Sequence, residues 1–395
     1  MNNTPASPTQ HPDVIPVDDE TVAIRWHLHE HPELGFHETT TTAYLTSLLK
    51  GHGIEILDLP LETGVVAQIT GTRPGPTVGL RADIDALPVE EDSGVAAPSL
   101  NHGVMHACGH DLHMASLLGA AFWLSQHRDL IAGTVRLIFQ PAEELGRGAV
   151  AVIKAGGVDG LDALIGTHNN PAYEPGTVVI GPEPMMAGCV RFRVDLHAQG
   201  SHGAMPHLGT GPIEALASMV LSLQTIVSRS ASPFHPLVVS VTDVHGGDVW
   251  NVIPAEAGFQ GTARYFYAED AQLAARRFRQ IVDSTAQAYG ITADITWDDF
   301  QDPLVSDAEL AGELASHVDR YAKLHAVEPT MIGEDFTEYG KHTRIAFAFI
   351  GSNGRPGYHN LHSPRFVGLD GELATGQNFY AHAALETLDF LRKQA

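Results

Sequence analysis

Apolar and polar positions change rhythm twice along the chain, and each rhythm predicts its own elements. Between residues 21 and 50 the apolar positions recur at helical spacing. One helix is expected over 21–32 and another over 37–50, with Tyr44, Leu45, Leu48 and Leu49 on one face and Gly51 as its stop. Short, nearly continuous apolar runs then predict strands over 65–70, 77–84, 134–140 and 163–168, with helices over 111–126 and 148–155 among them. Strands without alternation, interleaved with helices, belong to a sheet covered on both faces, so an α/β layer is expected.

At Val190 the rhythm switches to period two. Val190, Phe192, Val194 and Leu196 alternate with Arg191, Arg193, Asp195 and His197, as in a strand with one wet face. A helix over 213–228, strands over 237–244 and 257–266, a helix over 270–289 and a strand over 293–297 follow. The order is βαββαβ, a ferredoxin-like unit. From Ala308 the first texture resumes: a helix to about residue 324, a short helix near 334–340 and a strand over 345–351. The expected fold is therefore an α/β domain, residues 1–185 and 301–395, with a mixed, mostly parallel sheet flanked by helices. A ferredoxin-like α+β domain, residues 186–300, interrupts it. Residues 1–20, polar and proline-rich, are expected to form a loosely tethered arm.

Composition narrows the function. Among 395 residues, 23 Lys and Arg face 47 Asp and Glu, a net charge of −24. Nucleic-acid binding and adhesion to anionic lipid both need a basic footprint, so neither is expected. Two cysteines, Cys108 and Cys189, exclude a disulfide scaffold. No apolar run approaches a membrane span, and the N-terminus lacks the basic and apolar regions of a secretory signal, so a cytoplasmic protein is expected. The anomaly is 23 histidines, as many as Lys and Arg together.

Some of those histidines cluster with carboxylates and a thiol. In MHACGHDLHMA, Cys108 and His110 flank a glycine at the start of a predicted helix. Thiolate and imidazole can converge there on one ion, and a helix N-terminus favours the thiolate. In FQPAEELG, Glu143 and Glu144 follow a strand, where one carboxylate can bind metal and the other take a proton from water. His168 in GTHNNP ends another strand, and His362 in YHNLHSPRF lies in a loop after the last one. Each has an ordinary reading when taken singly: a buried cysteine, acids opening a helix, loop histidines. Jointly they stand at strand ends of one α/β domain, where such sheets bind ligands. Five ligands and one free carboxylate suffice for two metal ions sharing an activated water. Asp83 and Asp85 in RADIDALP stand where they can orient a ligating histidine, or simply shape a turn. In the inserted domain, His202 in GSHGAMPH, Asn251 in WNVIP and Arg264 in GTAR are candidates to grip a carboxylate; a surface charge is the ordinary reading of Arg264.

The motifs RWHLHEHPELGF, RADIDALP, MHACGHDLHMASLLGAA, FQPAEE, GTHNNP, SHGAMPH, NVIP, GTAR, GEDF and LHSPRF occur in this order. Together they resemble the aminoacylase/carboxypeptidase family of di-metal amidohydrolases. The resemblance is strongest to its branch of hippurate hydrolases, indole-acetyl-amino-acid hydrolases and bacterial N-acyl-amino-acid amidohydrolases. It runs from Arg25 to about Asp370. The resemblance implies that Cys108, His110, Glu144, His168 and His362 are metal ligands, with Cys108 bridging, and that Glu143 is the general base. It implies that His202 polarises the scissile carbonyl from a lid, in the active site of the partner subunit, and that Asn251 and Arg264 hold the substrate carboxylate. It further implies two divalent ions per subunit, a homodimer formed through the lid, and hydrolysis of N-acyl amino acids. A thiolate ligand favours Zn²⁺, Mn²⁺, Co²⁺ or Ni²⁺ over Mg²⁺. Cys189 and Gly211 stand where relatives often carry Asp. The alternatives are a dipeptidase or carboxypeptidase using the same site, a cysteine amidase with Cys108 as nucleophile, and a binding protein without hydrolysis.

Overall fold

A computed structural model describes residues 13–394. The apolar runs become strands buried on both faces: Val78, Leu80 and Ala82 in Arg73–Asp83, and Val135, Leu137 and Phe139 in Ala132–Gln140. Arg73–Asp83 lies between Ala132–Gln140 and Ala163–Asn170 and runs parallel to both. Ala163–Asn170 is in turn parallel to Arg344–Gly351. These four central strands end at the same edge, and that edge carries the candidate ligands. Outside them, Val65–Thr70 is antiparallel to Ala132–Gln140 and Glu55–Ile56 to Val65–Thr70. On the other flank Thr177–Val179 is antiparallel to Arg344–Gly351, and Lys323–His325 parallel to Thr177–Val179. The sheet thus has eight strands, mixed with a parallel centre, as the sequence leads one to expect.

Helix His110–Gln126 is buried from His110 to Phe122, and the C-terminal helix Gly371–Gln394 is buried from Glu372 to Leu388 apart from one position. The sequence reading did not assign the C-terminal helix. Two further corrections concern this unit. The helix expected from Ala308 to about residue 324 ends at Ala315, because Lys323–His325 is taken into the sheet. The described end of the expected arm is not loose: Ile15 is buried, and its backbone exchanges two hydrogen bonds with the Asn378 side chain (2.7 and 2.8 Å). The rest of the expected arm, residues 1–12, lies outside the described residues.

The chain divides into two compact units. One holds the chain up to Glu183, Val305–Glu328 and the chain from Asp335 onward; the other holds Pro184–Leu304 and Pro329–Glu334. The second unit is an antiparallel four-stranded sheet in the order Thr292–Gln301, Gly188–His197, Glu256–Tyr265, Leu237–Gly246. Helices Pro212–Leu223 and Ala268–Tyr289 complete βαββαβ. The alternating pattern is realised: Val190, Phe192, Val194 and Leu196 point into a core with Met219, Phe259, Phe278 and Val282. The helix expected over 213–228 stops at Leu223 and gives way to a π-helical turn, Ile226–Ser230. A small two-stranded antiparallel pairing not foreseen, termed the hairpin although its strands are far apart in sequence, joins Ser201–His202 to Val252–Ile253.

Candidate metal centre

The central strands deliver their last residues to one place. Asp83 ends Arg73–Asp83 opposite Gln140, the last residue of Ala132–Gln140, and His168 lies near the end of Ala163–Asn170. Cys108 and His110 reach the same place through a turn that requires glycine. Gly109 has φ 83°, and a Cβ there would stand 2.2 Å from the Asn169 side chain.

Two of the three imidazoles are oriented by a backbone carbonyl and leave the other nitrogen for the centre. His110 donates Nδ1–H to the Asp85 carbonyl (2.8 Å), and His168 donates Nδ1–H to the Asn169 carbonyl (2.7 Å). His168 Nε2 then lies 3.3 Å from Cys108 Sγ, and His110 Nε2 4.0 Å from Glu144 Oε1. His362, at φ 64°, is pinned by its amide to the Ala107 carbonyl (2.9 Å). Its Nε2 lies 3.4 Å from Cys108 Sγ and 3.3 Å from Glu144 Oε1. Three groups converge, each with its ligand atoms within 4.8 Å: Cys108–His110–His168, Cys108–Glu144–His362 and His110–Glu143–Glu144. The structure therefore gathers the five residues expected as ligands, with Cys108 common to the first two groups and Glu143 beside them.

The residues present fit divalent ions. His110 Nε2 is buried and makes no hydrogen bond among the described residues, which is costly unless something else meets it. Burial pushes the Cys108 thiol well up, and the carboxylates of Glu144, Glu143 and Asp83 push it further. Burial pulls His110 down, yet Asp83, Asp85 and Glu144 outweigh it and push it up to about 10. A cation would reverse both shifts, stabilising the thiolate and displacing the imidazole proton. The mixed S, N and O donors suit borderline transition ions.

Behind the cluster lies a second layer. The Asp85 carboxylate accepts the amides of Glu143 (3.0 Å) and Glu144 (3.1 Å). Asp83 takes Nδ1–H of His113 (2.6 Å) and Arg81 Nη1 (2.9 Å), and stands 3.5 Å from His110 Nε2. So the carbonyl of Asp85 orients His110, while Asp83 orients His113, whose Nε2 accepts the Asn169 amide (2.8 Å). Burial outweighs Asp83 and keeps His113 below its usual range. Arg81, wholly buried, also donates to Gln140 (2.9 Å) and Asp335 (3.2 Å). Sequence reasoning missed Arg81, His113, Gln140 and Asn169 as supports. It offers Asp85, with Asp83, as a candidate support; Asp335 in GEDF and the other four each stand inside one of the motifs but receive no supporting role from it.

The remaining candidates lie in the second unit. His202 and Asn251 come together at the hairpin, where the Gly203 amide donates to the Asn251 carbonyl (2.8 Å). Both are exposed, and His202 Nδ1 accepts the Ala204 amide (3.1 Å). Arg264 is half-buried on the four-stranded sheet, in register with Cys189 and Val238, so it does not share the hairpin. Cys189 is buried with Sγ 3.7 Å from Thr262 Oγ1, and Gly211 immediately precedes helix Pro212–Leu223.

Comparison with known proteins adds to this geometry. The profile described as Peptidase family M20/M25/M40 matches residues 79–386. The chain is 40% identical over 375 residues to an N-acetyl-L-cysteine deacetylase of Bacillus subtilis, covering 94% of this chain and 89% of the relative. It is 42% identical over 291 residues to an N-acyl-L-amino acid amidohydrolase of Geobacillus stearothermophilus (73% and 79% covered). It is 37% identical over 380 residues to a thermostable carboxypeptidase of Saccharolobus solfataricus (94% and 96%). Among solved structures it resembles a Bacillus subtilis protein described as a dinuclear metal binding peptidase from the M20 family. The TM-score is 0.85 at 35% identity, with 94% of this chain and 98% of that one covered.

Proposed function

The chain belongs to peptidase family M20/M25/M40, and on that premise we propose that it is a metal-dependent amidohydrolase. It cleaves the amide bond of N-acyl amino acids to a carboxylic acid and a free amino acid. The observation that carries this is the overlap of two ligand groups on Cys108, with Glu143 beside them and not needed by either. Relatives named as a deacetylase and as an amidohydrolase of N-acyl amino acids support the substrate class.

Cys108, His110, Glu144, His168 and His362 would hold two divalent ions, with Zn²⁺, Mn²⁺, Co²⁺ or Ni²⁺ suiting the donors. Bound there, they would lower the pKa of a water and polarise the scissile carbonyl. Glu143 takes the proton of the attacking water and later delivers it to the leaving amine, so one carboxylate serves as base and then acid. The hydrogen bonds of Asp85 to the Glu143 and Glu144 amides hold the two carboxylates in separate tasks. His202 donates to the developing oxyanion, and Asn251 and Arg264 grip the substrate carboxylate. The unit of Pro184–Leu304 serves as the lid and as the surface of a homodimer, in which His202 acts on the partner's substrate. Exposed apolar side chains near the hairpin, among them Met205, Leu208, Val249 and a 96% exposed Trp250, suit such an interface. The working location proposed is the cytoplasm; among the described residues no helix is long and apolar enough to cross a membrane.

The carboxypeptidase relative favours a second reading, peptide hydrolysis at the same centre. Amino-acid release from N-acetyl, N-benzoyl and long-chain N-acyl amino acids, set against dipeptides, separates the two. We expect acyl substrates to be turned over faster. Faster dipeptide cleavage would favour the second reading.

A further inference from the structure

Three consecutive amides carry the acid pair, and each is held by a buried carboxylate. Asp85 takes those of Glu143 and Glu144. The third, the amide of Ala142, donates to Glu38 Oε1 at 2.8 Å. Glu38 is wholly buried, although it lies 104 residues away in sequence. Ala142 has φ 50°, a left-handed conformation that a residue with a Cβ adopts only when its surroundings enforce it.

Those surroundings are tight. A Cβ on Gly148 would lie 1.6 Å from the Pro141 carbonyl oxygen, and one on Gly35 would lie 3.1 Å from Ala142 Cα. The segment that ends in Glu38 also grips the other loop of the site, since the Ala86 amide donates to the Glu33 carbonyl (2.8 Å) next to Asp85. A single short segment, Glu33–Glu38, thus steadies the residue that follows Asp85 and the residue that precedes Glu143. A carboxylate this deep has no solvent to return to, and its distant amide partner is at the entrance to the acid pair.

We propose that Glu38 is a positioning residue for Glu143 and Glu144: its buried carboxylate fixes the Ala142 amide, and with it the left-handed turn from which both acids are presented. Glu38 does not reach substrate. It acts through Ala142 on the distance between the Glu143 carboxylate and the attacking water, and on the fit of Glu144 to its ion. A misplacement of about 1 Å at such a group costs on the order of 100-fold.

The proposal rests on the amidohydrolase reading for its kinetic effect, but not for its effect on Glu144, so the test reads both. Glu38→Ala and Glu38→Gln are compared with the parent by kcat and KM on an N-acyl amino acid, by Mn²⁺ or Zn²⁺ titration of chelated protein, and by Tm. For Glu38→Ala we expect kcat to fall about 10- to 100-fold with KM little changed, and metal to bind about tenfold more weakly. Glu38→Gln keeps an oxygen that accepts the Ala142 amide and should recover most of both. A lower Tm with kcat and metal affinity intact would overturn the proposal, leaving Glu38 a stability residue. Failure of Gln to recover more than Ala would overturn it too. If the parent protein hydrolyses no acyl amino acid, the amidohydrolase reading fails, and the metal titrations still decide the role of Glu38.

Discussion

The buried centre at the sheet edge and the exposed hairpin of His202 and Asn251 are organised by opposite rules. At the centre, His110 and His168 are each turned by a carbonyl, His113 by Asp83, and the Glu143 and Glu144 amides are held by Asp85. Burial there makes each interaction strong and each orphan atom expensive, so the ligands are held ready before any ion arrives. At the hairpin, His202 and Asn251 are exposed, with few bonds beyond their neighbours in sequence. One region spends folding free energy on geometry; the other leaves its groups free for something they have yet to meet. Substitutions at the centre should therefore cost metal binding, stability or the proton transfer itself, whereas substitutions at the hairpin should cost turnover alone.

The sharpest contrast is Glu143→Gln. Removing the base should lower kcat about 10²- to 10⁴-fold while the metal content stays that of the parent. Near-parental kcat would break the account of the centre. Next is Arg81→Met, which removes the guanidinium that the buried carboxylates of Asp83 and Asp335 share. Unfolding by urea should show a loss of about 3–5 kcal/mol; a loss under 1 kcal/mol would show that the second layer is not needed for folding. At the hairpin, His202→Ala should lower kcat about 100-fold, as loss of one oxyanion donor does, with Tm and metal content unchanged. Mixed with Glu143→Gln to form heterodimers, it should recover part of the activity if each chain supplies its histidine to the other; no recovery would place His202 in its own subunit's reaction.

The smallest effect expected is a pH dependence. Burial pulls His29 down, but Asp111 and Glu91 outweigh it and raise it to about 9. The unfolded imidazole titrates near 6.5. Between these values the folded chain holds a proton that the unfolded chain has released, so stability falls as pH rises from about 6.5 through about 9. His29→Asn should flatten the curve of Tm against pH over that window; an unchanged slope would show that His29 is not the group involved.

Much of the centre was legible because its residues stand at the ends of apolar runs, and apolar runs are what a buried parallel sheet requires. His168 and the Glu143–Glu144 pair could be placed from strand ends alone. Beyond Asp83 and Asp85, the supports were not legible. Glu38, Arg81, Gln140 and Asn169 act through partners far away in sequence, and an isolated Glu or Gln looks the same whether buried or exposed. Strands Thr177–Val179 and Lys323–His325 are too short to show a period and exist because the sheet edge has a place for them. The C-terminal helix escaped for the opposite reason. Buried on nearly every side, with Gln377, Asn378 and His382 among its interior residues, it has no polar face to set off an apolar one.

The central claim is that hydrolysis depends on two ions gathered around Cys108. Its most direct test counts metal per subunit and measures amino-acid release from an N-acyl amino acid on the same samples. These would be the protein as purified, after chelation, and after stepwise return of Mn²⁺, Zn²⁺ or Co²⁺. Release that vanishes with the metal and returns as two ions per subunit are restored is the predicted result. Release that survives complete chelation, and is abolished by alkylating Cys108, would contradict it and make the cysteine a nucleophile.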